Sequence, residues 1–119
     1  RSPVVKVVQR NMTLGIAQYA VLHTLRHHRQ MPAYQAQQLE GVWKELKQPS
    51  ADQRAVGVMG LGTLGRASAE ALASLGFRVA GWSRTPKQIP GIECFSGKEQ
   101  FEPFLRRTEI LLCLLALTP

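Results

Sequence analysis

Val56-Gly57-Val58-Met59-Gly60-Leu61-Gly62-Thr63-Leu64-Gly65-Arg66 decides the fold. The first four residues read, with Ala55, as a buried strand. The chain then turns through three glycines in the spacing G-x-G-x-x-G and enters a helix. That arrangement holds a dinucleotide pyrophosphate. Gly60 permits the sharp turn, Gly62 removes a Cβ so that backbone can approach phosphate, and Gly65 permits close packing of helix and strand. Phosphate oxygens then face free N–H groups and the positive end of the helix dipole, with Thr63 and Leu64 in the first turn.

Glycines in this spacing also fill ordinary turns, so the flanks carry the argument. Downstream, Leu64, Ala67, Ala71, Leu72 and Leu75 recur at helical spacing, and Gly76 is a stop signal. Phe77 to Trp82 reads as a second strand. Ile92 to Phe95 is a third, short one. Ser96-Gly97-Lys98-Glu99 has the form of a capping box opening a helix over 98–107, which presents Phe101, Phe104 and Leu105 to the sheet. Ile110 to Leu117 reads as a parallel strand buried on both faces. The fold class is therefore α/β, the first part of a Rossmann-type doubly wound parallel sheet. Right-handed crossovers place the strand from Ile110 beside the glycine-bearing strand, opposite Phe77 to Trp82. Leu115, Ala116, Leu117 and Thr118 then border a cleft at the carboxyl ends of the strands, on the nicotinamide side.

The end of the second strand selects among cofactors. A site for NAD has an acidic residue about 20 residues beyond the glycines. Here stand Ser83-Arg84-Thr85-Pro86-Lys87, with no carboxylate. Arg84 can pair with a 2′-phosphate, Lys87 adds a point charge, and Ser83 and Thr85 offer hydroxyls. The expected cofactor is NADP, as NADPH, ahead of NAD.

Upstream, Val4 to Val8 reads as a short strand or an extended lead-in. Asn11 is a plausible cap for a long helix over 12–28, apolar almost all round between Leu14 and Leu25. Such a helix needs burial on several sides, by a second domain or a partner subunit. Pro32 opens a second helix, roughly 33–43, and 48–53 connects to the glycine-bearing strand. Residues 1–53 are thus interdomain or dimerisation helices, and 54–119 begin the nucleotide domain. His23 and His27 share a helix face without a third metal ligand; Arg26-His27-His28-Arg29 reads as a solvated helix end that suits positive charge.

The chain has 119 residues and a formal charge of +7. The charge suggests an anionic partner, but the basic residues are scattered and no nucleic-acid motif accompanies them, so no nucleic-acid partner is expected. There is no signal peptide and no stretch of membrane-spanning length, so the expected location is cytoplasmic, without a membrane partner. Cys94 and Cys113 read as buried free thiols. Starting at Arg1 and stopping after the apolar run, the chain reads as a piece of a longer protein.

These segments resemble the D-isomer-specific 2-hydroxyacid dehydrogenases, most closely their glyoxylate/hydroxypyruvate reductase A group. The resemblance lies in Met12 to Leu22, Leu25 to Arg29, Tyr34 to Trp43, Val56 to Gly65, Gly81 to Thr85, Pro90-Gly91 and Leu112 to Pro119. It implies hydride transfer from NADPH to a small 2-keto acid, and a homodimer with the 12–28 helix in or near the interface. The catalytic arginine, acid and histidine that it implies have no counterpart in this chain. No catalytic residue is therefore assigned, and the 119-residue polypeptide is expected to be inactive by itself. Gln18 stands where an acid is common in the family, and Ala116 where a proline is usual. The competing reading is a non-catalytic NAD(P)-sensing or co-regulator module, since the same fold binds cofactor without chemistry.

Overall fold

A computed structural model describes residues 3–114, with side chains described from residue 12 onward. The elements run α1 (Pro3–His28), α2 (Met31–Glu40), a 3-10 turn (Ala51–Gln53), β1 (Ala55–Met59), α3 (Thr63–Ser74), β2 (Arg78–Ser83), β3 (Glu93–Ser96), α4 (Gly97–Arg106) and β4 (Ile110–Cys113). The four strands form one parallel sheet in the order β3-β2-β1-β4. β4 thus flanks the glycine-bearing strand on the side away from β2, as the crossover rule requires.

Strand alternation sorts the side chains between two layers. Val56, Val58 and Val79 face α3, where Leu72 and Ala69 are fully buried against them. Gly57 and Trp82 face the α4 side. Phe104 of α4 is fully buried there, with Phe95 5.8 Å away between ring centroids, and Phe101 meets Trp82 edge-on at 5.1 Å. Burying side chains of this size stabilises by about 1.5–3 kcal/mol each. Two strand glycines are explained by this packing. A Cβ on Gly57 would sit 2.4 Å from Thr108 Oγ1 and 2.9 Å from Phe104 Cζ, and one on Gly81 would sit 2.4 Å from Leu61 Cδ2.

The starting ends of the strands are laced together by Arg107. Its guanidinium donates to Val56 C=O at 2.9 Å and Arg78 C=O at 3.2 Å, and lies 3.7 Å from the Glu93 carboxylate. Burial pulls the Arg107 pKa below its ordinary value, while Glu93 opposes that shift.

Several expectations need correction. Val4 to Val8 belong to α1 rather than to a strand, and Asn11 lies inside that helix; Pro3 is well suited to a helical start. α1 is covered on one side by this chain, and the cover expected from a second domain or a partner subunit lies outside it. The helix packs on α3 through Ala17, Ala20 and Thr24, leaving Leu14 53%, Tyr19 63% and Leu22 60% exposed. α2 stops at Glu40 because Gly41, with φ 71°, closes it through backbone bonds to Gln37 and Gln38. Trp43, three residues on, is 93% exposed. The α4 cap uses Gln100, not Glu99: Ser96 N–H donates to Gln100 Oε1 at 2.7 Å. Gly97 has φ 73°, which displaces the first turn by one position.

β4 is only half-buried, and Cys113 is exposed and Cys94 intermediate rather than both being buried. α4 covers β2 and β3, so among the described residues no helix lies over the Leu111 and Cys113 side of β4. Finally, His28 is not part of a solvated end. It is 4% exposed, with Phe77 edge-on to its ring and Arg54 donating to its Nδ1 at 3.2 Å.

Candidate functional site

The carboxyl ends of β1, β2 and β4 converge on one cleft of about 460 Å³. Register places Met59 beside both Trp82 and Cys113, so the three strands end level with one another. The turn out of β1 is tied to both neighbours. Gly60 N–H donates to Trp82 C=O, and Leu114 N–H to Met59 C=O, both at 2.8 Å.

Each glycine of the turn has its own physical reason. Gly60 has φ 105°, a conformation that L side chains rarely adopt. A Cβ on Gly65 would lie 1.6 Å from Gly60 C=O, so the helix can sit on the turn only without a side chain there. Gly62 differs from both. Its φ of −72° suits any residue, and a Cβ on it would meet nothing within 4 Å. Neither backbone nor packing requires glycine at this position. Its Cβ would instead project into open space at the helix start, where a bound phosphate needs to approach backbone.

Gly62 caps α3, and the first intrahelical bond runs from Arg66 N–H to Gly62 C=O at 2.8 Å. The amides of Thr63, Leu64 and Gly65 precede that bond and have no acceptor inside the helix. With the helix dipole behind them they form an anion-accepting cradle. The residues present therefore fit a dinucleotide pyrophosphate.

Across the cleft, the turn after β2 carries the basic residues. Ser83 is buried and its hydroxyl donates to Thr85 C=O at 2.7 Å, so it shapes the turn. Arg84, Thr85 and Lys87 are exposed on the cleft. Among the described residues neither Arg84 nor Lys87 has an ion-pair partner. Residues 84–92 contain no carboxylate, so the guanidinium and ammonium are available to an anion.

The structure thus gathers Gly60, Gly62, Thr63, Leu64, Ser83, Arg84, Thr85 and Lys87 around one space. Gly65 does not line the cleft itself, because its Cα packs against Gly60 C=O. Leu115, Ala116 and Leu117 fall outside the described residues. Three lining residues were missed: Leu61, Cys113 and Leu114. The last two follow from β4 ending at Cys113, earlier than its apolar run suggests. Leu61 escaped because only the tertiary fold sets it over Gly81 in β2, which makes room for its side chain. His23 and His27 are exposed, and among the described residues no cluster of three His, Cys, Asp or Glu is spaced to hold a metal.

A parallel sheet with a glycine turn, an open helix N-terminus and a basic second-strand turn defines the dinucleotide-binding class of α/β domains. Comparison with known proteins makes this particular. Residues 21–119 match the model of the D-isomer specific 2-hydroxyacid dehydrogenase NAD binding domain, and the chain belongs to that family. It is 40% identical over 117 residues to glyoxylate/hydroxypyruvate reductase A of Yersinia enterocolitica, covering 98% of this chain and 37% of that protein. A D-isomer specific 2-hydroxyacid dehydrogenase from Xanthobacter autotrophicus Py2, solved with NADPH and MES, superposes with TM-score 0.88 at 44% identity. That match covers 92% of this chain and 35% of the other. The NADPH-dependent glyoxylate/hydroxypyruvate reductase of Sinorhizobium meliloti, solved with NADP and sulfate, superposes with TM-score 0.89 at 40% identity, covering 92% and 34%. The chain therefore spans about a third of the length of these relatives.

Proposed function

We propose that this chain is the cofactor-binding portion of an NADPH-dependent reductase of small 2-keto acids such as glyoxylate or hydroxypyruvate. The observation that carries the reading is the pairing of a Gly62 that the fold itself does not need with Arg84 and Lys87 across the same cleft, neither ion-paired among the described residues. In this reading the amides of Thr63, Leu64 and Gly65 take the pyrophosphate. Arg84 and Lys87 take the 2′-phosphate, and Ser83 and Thr85 hold their turn in shape. Leu114 and the segment Leu115-Ala116-Leu117 border the nicotinamide half. A bound NADPH would supply the hydride. The residues of this chain bind and orient it and contribute no acid or base to the reaction. Relatives named as glyoxylate/hydroxypyruvate reductases, and solved with NADPH or NADP, support the reading.

Residues 1–53 are interdomain and dimerisation helices, and 54–119 open the nucleotide domain. The exposed Leu14, Tyr19 and Leu22 on α1 support a homodimer through that helix. The two free thiols and the family suit a cytoplasmic setting. Among the described residues no helix is long and apolar enough to cross a membrane.

Two measurements test the proposal. Arg84→Ala is expected to weaken NADPH binding roughly ten- to hundredfold, the range of a hydrogen bond to a charged group, and to leave NADH binding nearly unchanged. Equal loss for both cofactors refutes the 2′-phosphate assignment. Hydroxypyruvate-dependent oxidation of NADPH by the 119-residue polypeptide is expected to be nil, and turnover would show that the chain holds catalytic groups of its own.

A further inference from the structure

At the end of the sheet opposite the cleft, α1 meets the strand starts through one polar contact chain. His28 closes the helix and is buried, with Nδ1 accepting from Arg54 Nε at 3.2 Å. Arg54, just before β1, lies 3.3 Å from Glu109 through Nη1 and Oε2. Glu109, just before β4, accepts from Ala55 N–H at 2.9 Å with its other oxygen. Phe77 packs edge-on against the imidazole, 5.0 Å between centroids. Elsewhere α1 rests on α3, with Val21 and Leu25 against the core, and this polar chain adds a directional tie between its end and the strand starts.

The chemistry of the pair sets a condition. An arginine Nε–H only donates, because guanidinium keeps its protons throughout the working range. His28 Nδ1 must therefore present its lone pair, and a neutral ring then carries its proton on Nε2. Protonation would place an N–H on Nδ1, facing the N–H of Arg54. It would also put a cation beside Arg54, with Arg29 and His27 on the same helix end adding repulsion and Glu109 alone opposing it.

We propose that His28, Arg54 and Glu109 form an acid-released latch, closed while His28 is neutral, that holds the C-terminal end of α1 against the starts of β1 and β4. This goes beyond the cofactor reading and does not rest on it. Burial first, and the neighbouring Arg54 and Arg29 next, hold the His28 pKa below its ordinary value of about 6.5. The folded state thus binds a proton less readily than the unfolded chain. The latch's stabilisation is complete above the unfolded value and is lost as pH falls from there through the lowered native value.

The experiment is a histidine NMR titration of the full chain between about pH 5 and 8. It is combined with amide exchange over 25–30 and with melting curves. We expect His28 in the Nε2–H tautomer at neutral pH, with a midpoint below the ordinary value of about 6.5. Exchange at 25–30, corrected for intrinsic rates, accelerates as His28 titrates. His28→Phe keeps the edge-on ring and removes the proton site, so it flattens the fall of Tm below about pH 6.5, whereas His27→Gln leaves that fall in place. A His28 midpoint at or above about 6.5, an Nδ1–H tautomer, or an undiminished pH dependence in His28→Phe overturns the proposal. Should His28→Phe fail to fold, the tautomer and the exchange data of the parent decide the matter alone.

Discussion

Gly62 and Gly65 lie three residues apart in one motif, yet the structure separates their roles, and substituting each by alanine should separate them in solution. At Gly65 the new Cβ falls 1.6 Å from Gly60 C=O. An ordinary contact needs roughly twice that, and the obstruction is backbone, so the turn or the helix must move. Overpacking costs about 1–3 kcal/mol, and a rigid carbonyl puts this case at the upper end. For a domain of this size, about 3 kcal/mol lowers Tm by something over 10 °C. At Gly62 the Cβ meets nothing within 4 Å and φ is −72°. Losing glycine's flexibility in the unfolded chain stabilises by about 0.4–1 kcal/mol. Alanine is a poorer helix cap than glycine by a similar amount, so the two effects nearly cancel. Gly62→Ala should therefore leave Tm almost unchanged. It should still weaken NADPH binding at least about tenfold, or 1.4 kcal/mol, because the methyl occupies the approach to the cradle amides. Calorimetric melting with fluorescence titration of NADPH measures both quantities on each variant. Parent-like NADPH affinity in Gly62→Ala, or a Tm loss there as large as in Gly65→Ala, would refute the reasoning.

Three further outcomes follow from neighbouring features. Gly81→Ala should push Leu61 towards the cleft and weaken dinucleotide binding. Leu61→Ala in the same chain should restore binding, and a failure to restore it would show that the clash is relieved elsewhere. Arg107→Ala leaves Val56 C=O and Arg78 C=O without their side-chain donor, and should cost about 1–3 kcal/mol in urea denaturation while leaving NADPH affinity nearly intact. Tyr19→Lys with Leu22→Lys should abolish self-association in analytical ultracentrifugation without lowering the monomer's helix content. Persistence of the dimer would place the interface elsewhere.

Much of this was legible in the chain. The strand-glycine-helix run fixes β1 and α3 because three separate constraints coincide within ten residues: an apolar run, a turn that needs glycine and a helical apolar stripe. The same run, with the crossover rule, orders the sheet. The basic turn was legible because its chemistry is local to 83–87. What escaped depends on partners far away in sequence. Gly57 and Gly81 look like interruptions of strands until Thr108, Phe104 and Leu61 are seen above them. His28 looks like one of several cations at a helix end, since only the tertiary fold brings Arg54 and Phe77 to it. Hydrophobicity alone also carried β4 past Cys113, and in α1 it marked a face that this chain leaves exposed. It reports that a surface wants covering, not whether this chain supplies the cover.

The fastening by Arg107 has a mechanical consequence. One guanidinium grips β1 and β2 near their starts and reaches towards β3, on the side away from the nucleotide cleft. The strands resemble the ribs of a fan riveted at the base. Small spreading at their tips, where a ligand enters, leaves the rivet undisturbed, whereas sliding one rib along another must tear it.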